Sequence, residues 1–188
     1  MDNIEYRLDW IPFYETFATK LLEYKDNRTV LIQKMQKVYH EINISFPKLE
    51  ADGVVEDIDP FTVFGMFNKG ITNKNRTKIL TGIANEFDIN IEVPANFDGI
   101  PVLNNTNASF VHFKKARGDN DIDDLWSVFE IAINYTENQT DENRNLFEKA
   151  YNKAITISGV KWNLTMGLYW IRPYVFLNLD GKNRDYLK

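Results

Sequence analysis

The chain contains no cysteine among its 188 residues. This absence excludes disulfide bonds, thiolate metal ligands and cysteine nucleophiles. The sequence does not open with a basic stretch followed by an apolar one, as a secretory leader would. It also has no apolar run near the roughly 18 residues needed to span a bilayer. Together these absences predict a soluble, cytoplasmic protein with no membrane partner.

Positive charge is also scarce, since 22 Lys and Arg residues stand against 27 Asp and Glu residues and leave a formal net charge of −5. Affinity for phosphate groups scales with the number of cations that displace counterions. The composition therefore excludes an indiscriminate nucleic-acid binder and leaves DNA contact only through a local basic patch. Aromatic residues make up 14% of the chain, which is enough for the core of a single domain, 1–188.

Helical periodicity marks the start of the chain. Apolar residues recur at helical spacing from residue 11 to about residue 25, and again from residue 31 to residue 42. Asp26 or Asn27 can cap the second of these segments. The pattern predicts a helical hairpin, followed by a loop over 44–56.

A second pair of helices is predicted around Gly70. Asp59 before Pro60 is a typical helix start, because the carboxylate accepts from free amide groups and proline is tolerated at the first helical position. That helix is expected to end near Gly70, and Thr72 caps the next one. The outline resembles helix-turn-helix, although a plain structural hairpin has the same pattern.

The middle of the chain changes character over residues 88–113. Alternating residues in INIEV, the interruptions Pro94 and Pro101, and the aromatic tract SFVHF predict short strands or extended segments. The predicted fold class is therefore mostly α with a minor β element (α+β), as a compact helical domain with short strands or extended segments in the middle.

Helical patterns return in the last third. One helix is predicted from about residue 121, and a second is capped by Thr140 and runs to Gly159. A final helix holds Trp162 and Trp170 and ends at Pro173, after which the last residues are again typical of a helix.

The candidate motifs for catalysis, metal binding and nucleotide binding each lack an essential residue or partner. The tract GMFNKGIT has the glycines of a phosphate-binding loop, but Ile71 stands where the lysine must be. Residues 119–130 have several oxygen ligands of a calcium loop, yet Asp124 occupies the position of the turn glycine. Neither His40 nor His112 has an evident acid or serine partner in sequence. We therefore predict no catalytic residues, no metal, no cofactor and no enzymatic activity for these residues.

Basic residues beside aromatic ones are the strongest local signal. Aromatic rings can stack on an exposed base while neighbouring cations hold its phosphates. The alternative for the SFVHFKKARG tract is a strand whose phenylalanines face the core and whose basic end is solvated. Arg172 beside Trp170 can equally be a stacked structural cation, and the cluster at Lys74, Arg76 and Lys78 is expected on the outer face of its helix. The candidate nucleic-acid-binding residues are Lys74, Arg76, His112, Phe113, Lys114, Lys115, Arg117, Arg172, Lys182 and Arg184.

Long aromatic-rich strings add a family resemblance. They are WIPFYETFATKLLEYKDNR at 10–28, IDPFTVFGMFNKGITNKNR at 58–76, FDGIPVLNN at 97–105, DNDIDDLW at 119–126 and WNLTMGLYWIRPYVFLNLDGKNRDYL at 162–187. Taken together, these strings resemble the amino-terminal region of McrB-type AAA+ proteins, and they cover nearly the whole chain.

The resemblance implies a function in a modification-dependent restriction system. In that family the amino-terminal region recognises DNA, often with modified cytosine, a following AAA+ motor domain hydrolyses GTP or ATP, and the McrC nuclease cuts. The implied partners are DNA, a motor domain in the same polypeptide and an McrC-type nuclease subunit. A modified base can be read in the groove or by extrusion into an aromatic pocket. The alternative is a protein–protein interaction or assembly module of the same system without DNA contact.

Overall fold

The computed structural model describes residues 8–103 and 108–186, and it is a helical protein. A short 3₁₀ turn at Leu22–Tyr24 follows the first helix. The α-helices in these ranges are α1 (Ile11–Leu21), α2 (Arg28–Glu41), α3 (Pro60–Gly65), α4 (Asn73–Glu86), α5 (Asp121–Glu137), α6 (Asp141–Ala154), α7 (Asn163–Ile171) and α8 (Gly181–Tyr186).

Three predicted helix starts are confirmed together with their caps. The Asp59 carboxylate accepts from the backbone N–H of Thr62 at 2.8 Å, which satisfies an amide that the first turn of α3 leaves free. The hydroxyls of Thr72 and Thr140 cap α4 and α6 in the same way. Local side-chain chemistry therefore decides where these helices begin.

The predicted ends of α3 and α6 are wrong. Helix α3 ends at Gly65 rather than near Gly70. The carbonyls of Phe67 and Lys69 accept from the Arg76 guanidinium, and the carbonyl of Asn68 accepts from the N–H of Leu103. Helix α6 ends at Ala154 instead of reaching Gly159.

The minor β element expected over 88–113 is not confirmed. Within the described part of that stretch the chain is extended and looped, and it forms one isolated parallel bridge, between Lys69 and Leu103. Much of the hydrogen bonding of this stretch goes to side chains. The indole N–H of Trp170 donates to the carbonyl of Pro101 at 2.8 Å, and that of Trp10 donates to the carbonyl of Asp98 at 3.0 Å. The indole N–H groups of these two tryptophans therefore donate to backbone carbonyls that would bond to a neighbouring strand in a sheet.

One hydrophobic core runs from α1 to the segment after α7. Helix α1 packs on α7, α2 on α4 and α5 on α6, while α3 contacts both α5 and α7. Helix α3 is thus at the centre, and its Phe61 and Phe64 are fully buried. Among residues 8–103 and 108–186, no helix combines the length and apolar character needed to cross a membrane.

Candidate nucleic-acid interface

Arg76 was predicted to lie on the outer face of α4, and this prediction is wrong. Its side chain is buried, with 3% of the residue exposed, and its guanidinium stacks on Phe97 at 4.8 Å from the ring centroid. The Nε–H donates to the carbonyl of Phe67 at 2.9 Å. Burial lowers the pKa of Arg76, and the backbone carbonyls supply acceptors in place of water. Arg76 therefore holds the α3–α4 turn together from inside.

The basic residues after Phe113 are largely neutralised. The Lys114 ammonium lies 3.1 Å from the Asp52 carboxylate and 3.3 Å from that of Glu56, and the hydrogen bond with Asp52 is the main cause of its raised pKa. Arg117 pairs with Glu50 at 2.7 Å. Both cations therefore connect the loop after Phe113 to the 44–56 loop. Carboxylates within the fold already neutralise their charges.

The cations near the carboxyl end also have internal roles. Arg172 donates to the hydroxyl of Thr136 at 3.2 Å and to that of Thr19 at 3.1 Å, and burial lowers its pKa. The Arg184 guanidinium lies 5.0 Å from the centroid of the Trp162 ring, as in a cation–π contact. The side chain of Lys182 lies outside the described part of the structure.

Two other predicted cations are available at the surface. Lys74 and Lys115 are exposed, and neither has a carboxylate within 4.0 Å among the residues described. The predicted clusters therefore do not form one basic face by themselves, because most of their members bond within the fold.

The SFVHF tract divides between core and surface. Phe110 is 1% exposed and stacks on Phe61 with ring centroids 5.5 Å apart, so it belongs to the core. Its backbone N–H donates to the Thr62 hydroxyl at 2.8 Å, and that hydroxyl in turn donates to the buried Asp59 carboxylate. Phe113, by contrast, is 43% exposed. The tract is thus anchored at Phe110 and presents Phe113 to solvent.

Burial gives Asp59 unusual titration behaviour. Removal of the carboxylate from water raises its pKa to about 6, although hydrogen bonds from Thr62 act in the opposite direction. The polar chain of Asp59, Thr62 and the Phe110 N–H links the first turn of α3 to the loop that carries Phe113. Protonation of Asp59 therefore changes the charge of the hydrogen-bonded chain that anchors this loop to α3.

His112 connects the loop to the turn between α6 and α7. Its Nε2 lies 3.0 Å from the Ser158 hydroxyl. Gly159 follows with φ +92°, a conformation that L side chains rarely adopt. A Cβ on Gly159 would lie 3.6 Å from the His112 Nε2, an ordinary van der Waals distance, so the backbone conformation and not the available space favours glycine here.

These loops enclose a cavity of about 420 Å³, which we name the Phe113 cleft. Its volume lies within the range of about 300–1,000 Å³ typical of small-ligand sites. None of the described lining residues carries a carboxylate, although the chain as a whole is acidic. The lining residues are Pro47, Lys48, Leu49, Lys69, Ala108, Ser109, Phe110, Val111, His112, Phe113, Gly159 and Asn163.

A smaller cavity of about 190 Å³ adjoins the Phe113 cleft, because Asn163 lines both. Trp162 and Arg184 line the smaller cavity, and Asp180 contributes a carboxylate. Trp162 is 44% exposed. Of the residues predicted from sequence, the fold thus brings His112, Phe113 and Arg184 to one surface, beside a second exposed aromatic ring.

Lys48 and Lys69 are site residues that sequence reasoning missed. They line one cavity although they lie on either side of α3, and no spacing pattern connects them. Lys69 belongs to the GMFNKGIT tract, which resembles a phosphate-binding loop only loosely. Local sequence therefore contained no signal that would pair Lys69 with Phe113.

The cleft presents a ring and positive charge to solvent. Within residues 8–103 and 108–186, no group of three or more His, Cys, Asp or Glu side chains is placed to hold a metal ion. Exposed rings beside lysines provide a stacking surface and positive charge. The chemistry of the cleft thus fits a planar ligand that carries negative charge.

A family model described as a domain of unknown function (DUF8425) matches residues 10–188 of the chain. No curated protein and no solved structure matches the chain.

Proposed function

The chain belongs to the DUF8425 family, and we propose that it is a DNA-binding recognition module of a modification-dependent restriction system of the McrB type. In this proposal the module has no catalytic activity and no cofactor of its own. It works in the cytoplasm with an AAA+ motor domain in the same polypeptide and an McrC-type nuclease subunit. The strings that resemble McrB-type amino-terminal regions support this assignment.

The observation that carries the DNA-binding proposal is the composition of the Phe113 cleft. On a chain with net charge −5, this cavity is lined by Lys48, Lys69 and His112 and by no carboxylate of residues 8–103 and 108–186. Phe113 can stack on a base, which is typically worth about 1–3 kcal/mol per base. The lysines attract the phosphates and release counterions. Exposed Lys115 adds charge outside the cleft.

Fluorescence anisotropy with labelled oligonucleotides tests the proposal. Single-stranded DNA, an unmodified duplex and a duplex with 5-methylcytosine are titrated at two salt concentrations. We expect binding that weakens as salt rises, and a Phe113→Ala variant that binds less tightly than the unmodified protein. Absence of detectable binding to every oligonucleotide at low salt would overturn the proposal.

A specific observation favours an assembly module as the second candidate. After α7, Tyr174 and Leu177 are 77% and 78% exposed, and Val175 beside them is 37% exposed. Exposed apolar residues at such density often mark a protein interface. Light scattering with the motor domain and the nuclease subunit would detect this association. A complex that Leu177→Ser abolishes, together with no DNA binding, would favour assembly over recognition.

A further inference from the structure

Lys69 is a cation without a partner in the Phe113 cleft. It is partly buried, and burial lowers its pKa. Its ammonium makes no hydrogen bond and has no carboxylate within 4.0 Å in the described ranges 8–103 and 108–186. A charged group that loses water without gaining a partner destabilises the fold. An anion bound in the cleft would remove this penalty.

The other buried or partly buried cations that the structure describes have partners, which sets Lys69 apart from them. Arg117 has Glu50, and Arg172 has the Thr136 and Thr19 hydroxyls. Arg76 donates to backbone carbonyls, one of which is that of Lys69 itself, at 3.4 Å. Arg76 is therefore a positioning residue, because it fixes the backbone from which the Lys69 side chain leaves.

The residues around Lys69 favour an anion with a ring attached. Lys48 adds a second cation to the lining, and it too is without a carboxylate within 4.0 Å in the described part of the chain. The Asn163 amide and the His112 imidazole can hydrogen-bond a polar ring edge, and the exposed ring of Phe113 can stack on its face. Phosphate and a planar heterocycle occur together in a nucleotide.

The size of the cleft limits how much of a nucleic acid can enter. A cavity of about 420 Å³ suits a small molecule. A base pair within an intact duplex can lie only across its mouth. One unpaired nucleotide can enter, with its phosphate near the lysines and its base beside Phe113.

We propose that the Phe113 cleft is a phosphate-binding site for one unpaired nucleotide, with Lys69 as the main contact to the phosphate and Lys48 as the second. The site deepens the proposed function and rests on it, since the nucleotide is taken to belong to a bound DNA strand. The same chemistry would also accept a free nucleoside monophosphate, so the experiment separates the two sources.

Isothermal titration calorimetry with deoxycytidine 5′-monophosphate, deoxycytidine and inorganic phosphate tests the site directly. We expect the monophosphate to bind and the nucleoside to bind at least tenfold more weakly, because a hydrogen bond to a charged group is lost. Inorganic phosphate should compete with the monophosphate. Lys69→Gln should weaken monophosphate binding by roughly tenfold or more, and Lys48→Gln by less.

Lys149→Gln is the matched control. Lys149 is an exposed lysine of α6 outside the cleft, and it has no carboxylate within 4.0 Å among the residues described. Its replacement removes the same charge and should leave monophosphate binding unchanged. Circular dichroism of each variant checks the fold. If Lys69→Gln does not fold, Phe113→Ala and Lys48→Gln give the decisive titrations.

The outcomes separate this site from the proposed function. Equal monophosphate binding by Lys69→Gln and the unmodified protein would overturn the site, and so would no monophosphate binding at all. DNA binding that persists in either case would leave the proposed function in place. Lysine-dependent monophosphate binding without any DNA binding would overturn the proposed function and establish a free-nucleotide site. Single strands that bind more tightly than duplexes, and only with Lys69 present, would support both.

Discussion

The carboxylate of Glu50, a residue that is 2% exposed, accepts a hydrogen bond from the Arg117 guanidinium across 2.7 Å. Its other oxygen accepts from the backbone N–H of Lys114 at 2.9 Å. One buried side chain thus clamps the segment that follows Phe113 to the 44–56 loop. The 44–56 loop contributes Lys48 to the lining of the Phe113 cleft, and the clamped segment follows directly on Phe113, which is itself a lining residue.

Arg117→Met should destabilise the protein by about 3 kcal/mol, because it leaves the Glu50 carboxylate buried without a compensating charge. Urea unfolding followed by circular dichroism measures the loss. Glu23→Gln is the control, since it removes an exposed ion pair with Lys20 in which the side chains are 59% and 31% exposed. Exposed pairs contribute little, so the control should keep its midpoint. An unchanged midpoint for Arg117→Met would show that the clamp carries no stability.

Asp59 should make stability fall as pH rises from about 4 to about 6. Its pKa is raised to about 6 in the folded protein from an ordinary value of 3.8. Between these values the folded state binds more protons than the unfolded state, so raising the pH favours unfolding. A shift of this size corresponds to roughly 3 kcal/mol.

The comparison with Asp59→Asn isolates this contribution. Other carboxylates, such as that of Glu86, have lowered pKa values and act with the opposite sign in both proteins. Urea midpoints at pH 4, 5, 6 and 7 should show that the unmodified protein loses stability relative to Asp59→Asn across this window. Parallel curves for the two proteins would contradict the raised pKa.

Phe110→Ala should mainly reduce stability, whereas Phe113→Ala should mainly weaken nucleotide binding. Phe110 is buried against Phe61, so its truncation should cost about 3–5 kcal/mol. Phe113 is 43% exposed, and its truncation should leave the unfolding midpoint nearly unchanged while it weakens nucleotide binding. Denaturation and calorimetry on the same two variants provide the check. A large stability loss for Phe113→Ala would assign that ring to the core.

Gly65→Ala should destabilise the protein even though alanine is the better helix former. A Cβ at Gly65 would lie 2.2 Å from the carbonyl oxygen of Ala108, a backbone atom that cannot rotate away. Overpacking of this kind typically costs about 1–3 kcal/mol. The control is Gly181→Ala in α8, where nothing lies within 4 Å of the added Cβ. A Gly65→Ala variant as stable as its parent would mean that the 108–113 loop readily shifts away from α3.

Sequence patterns identified most helices but misplaced their ends. The caps at Asp59 and Thr72 were predicted correctly, because capping depends on residues within a few positions of each other. The predicted end of α3 was wrong, and beyond Gly65 the backbone carbonyls accept from Arg76 and Leu103. Contacts of this kind, between residues distant in sequence, exist only in the folded chain.

The candidate site can be compared with its sequence prediction only by where its residues lie. His112 and Phe113 of the predicted tract line the cleft, and Phe110 is buried, as the core alternative predicted for it. Arg76 was expected outside and lies inside. Lys69 was overlooked, because a lysine without a partner looks the same in sequence as one with a partner.

The sequence by itself determined the helices, their starts and the apolar faces that form the core, because helix capping and 3.6-residue periodicity act over a few residues. The tertiary structure alone decided which cations remain free. Glu50 reaches Arg117, and Asp52 reaches Lys114, only after distant loops meet. Lys69 has no carboxylate within 4.0 Å in the described part of the chain, since folding places it in a cavity whose described lining contains none. Charge pairing depends on distance in space, and distance along the chain does not predict it.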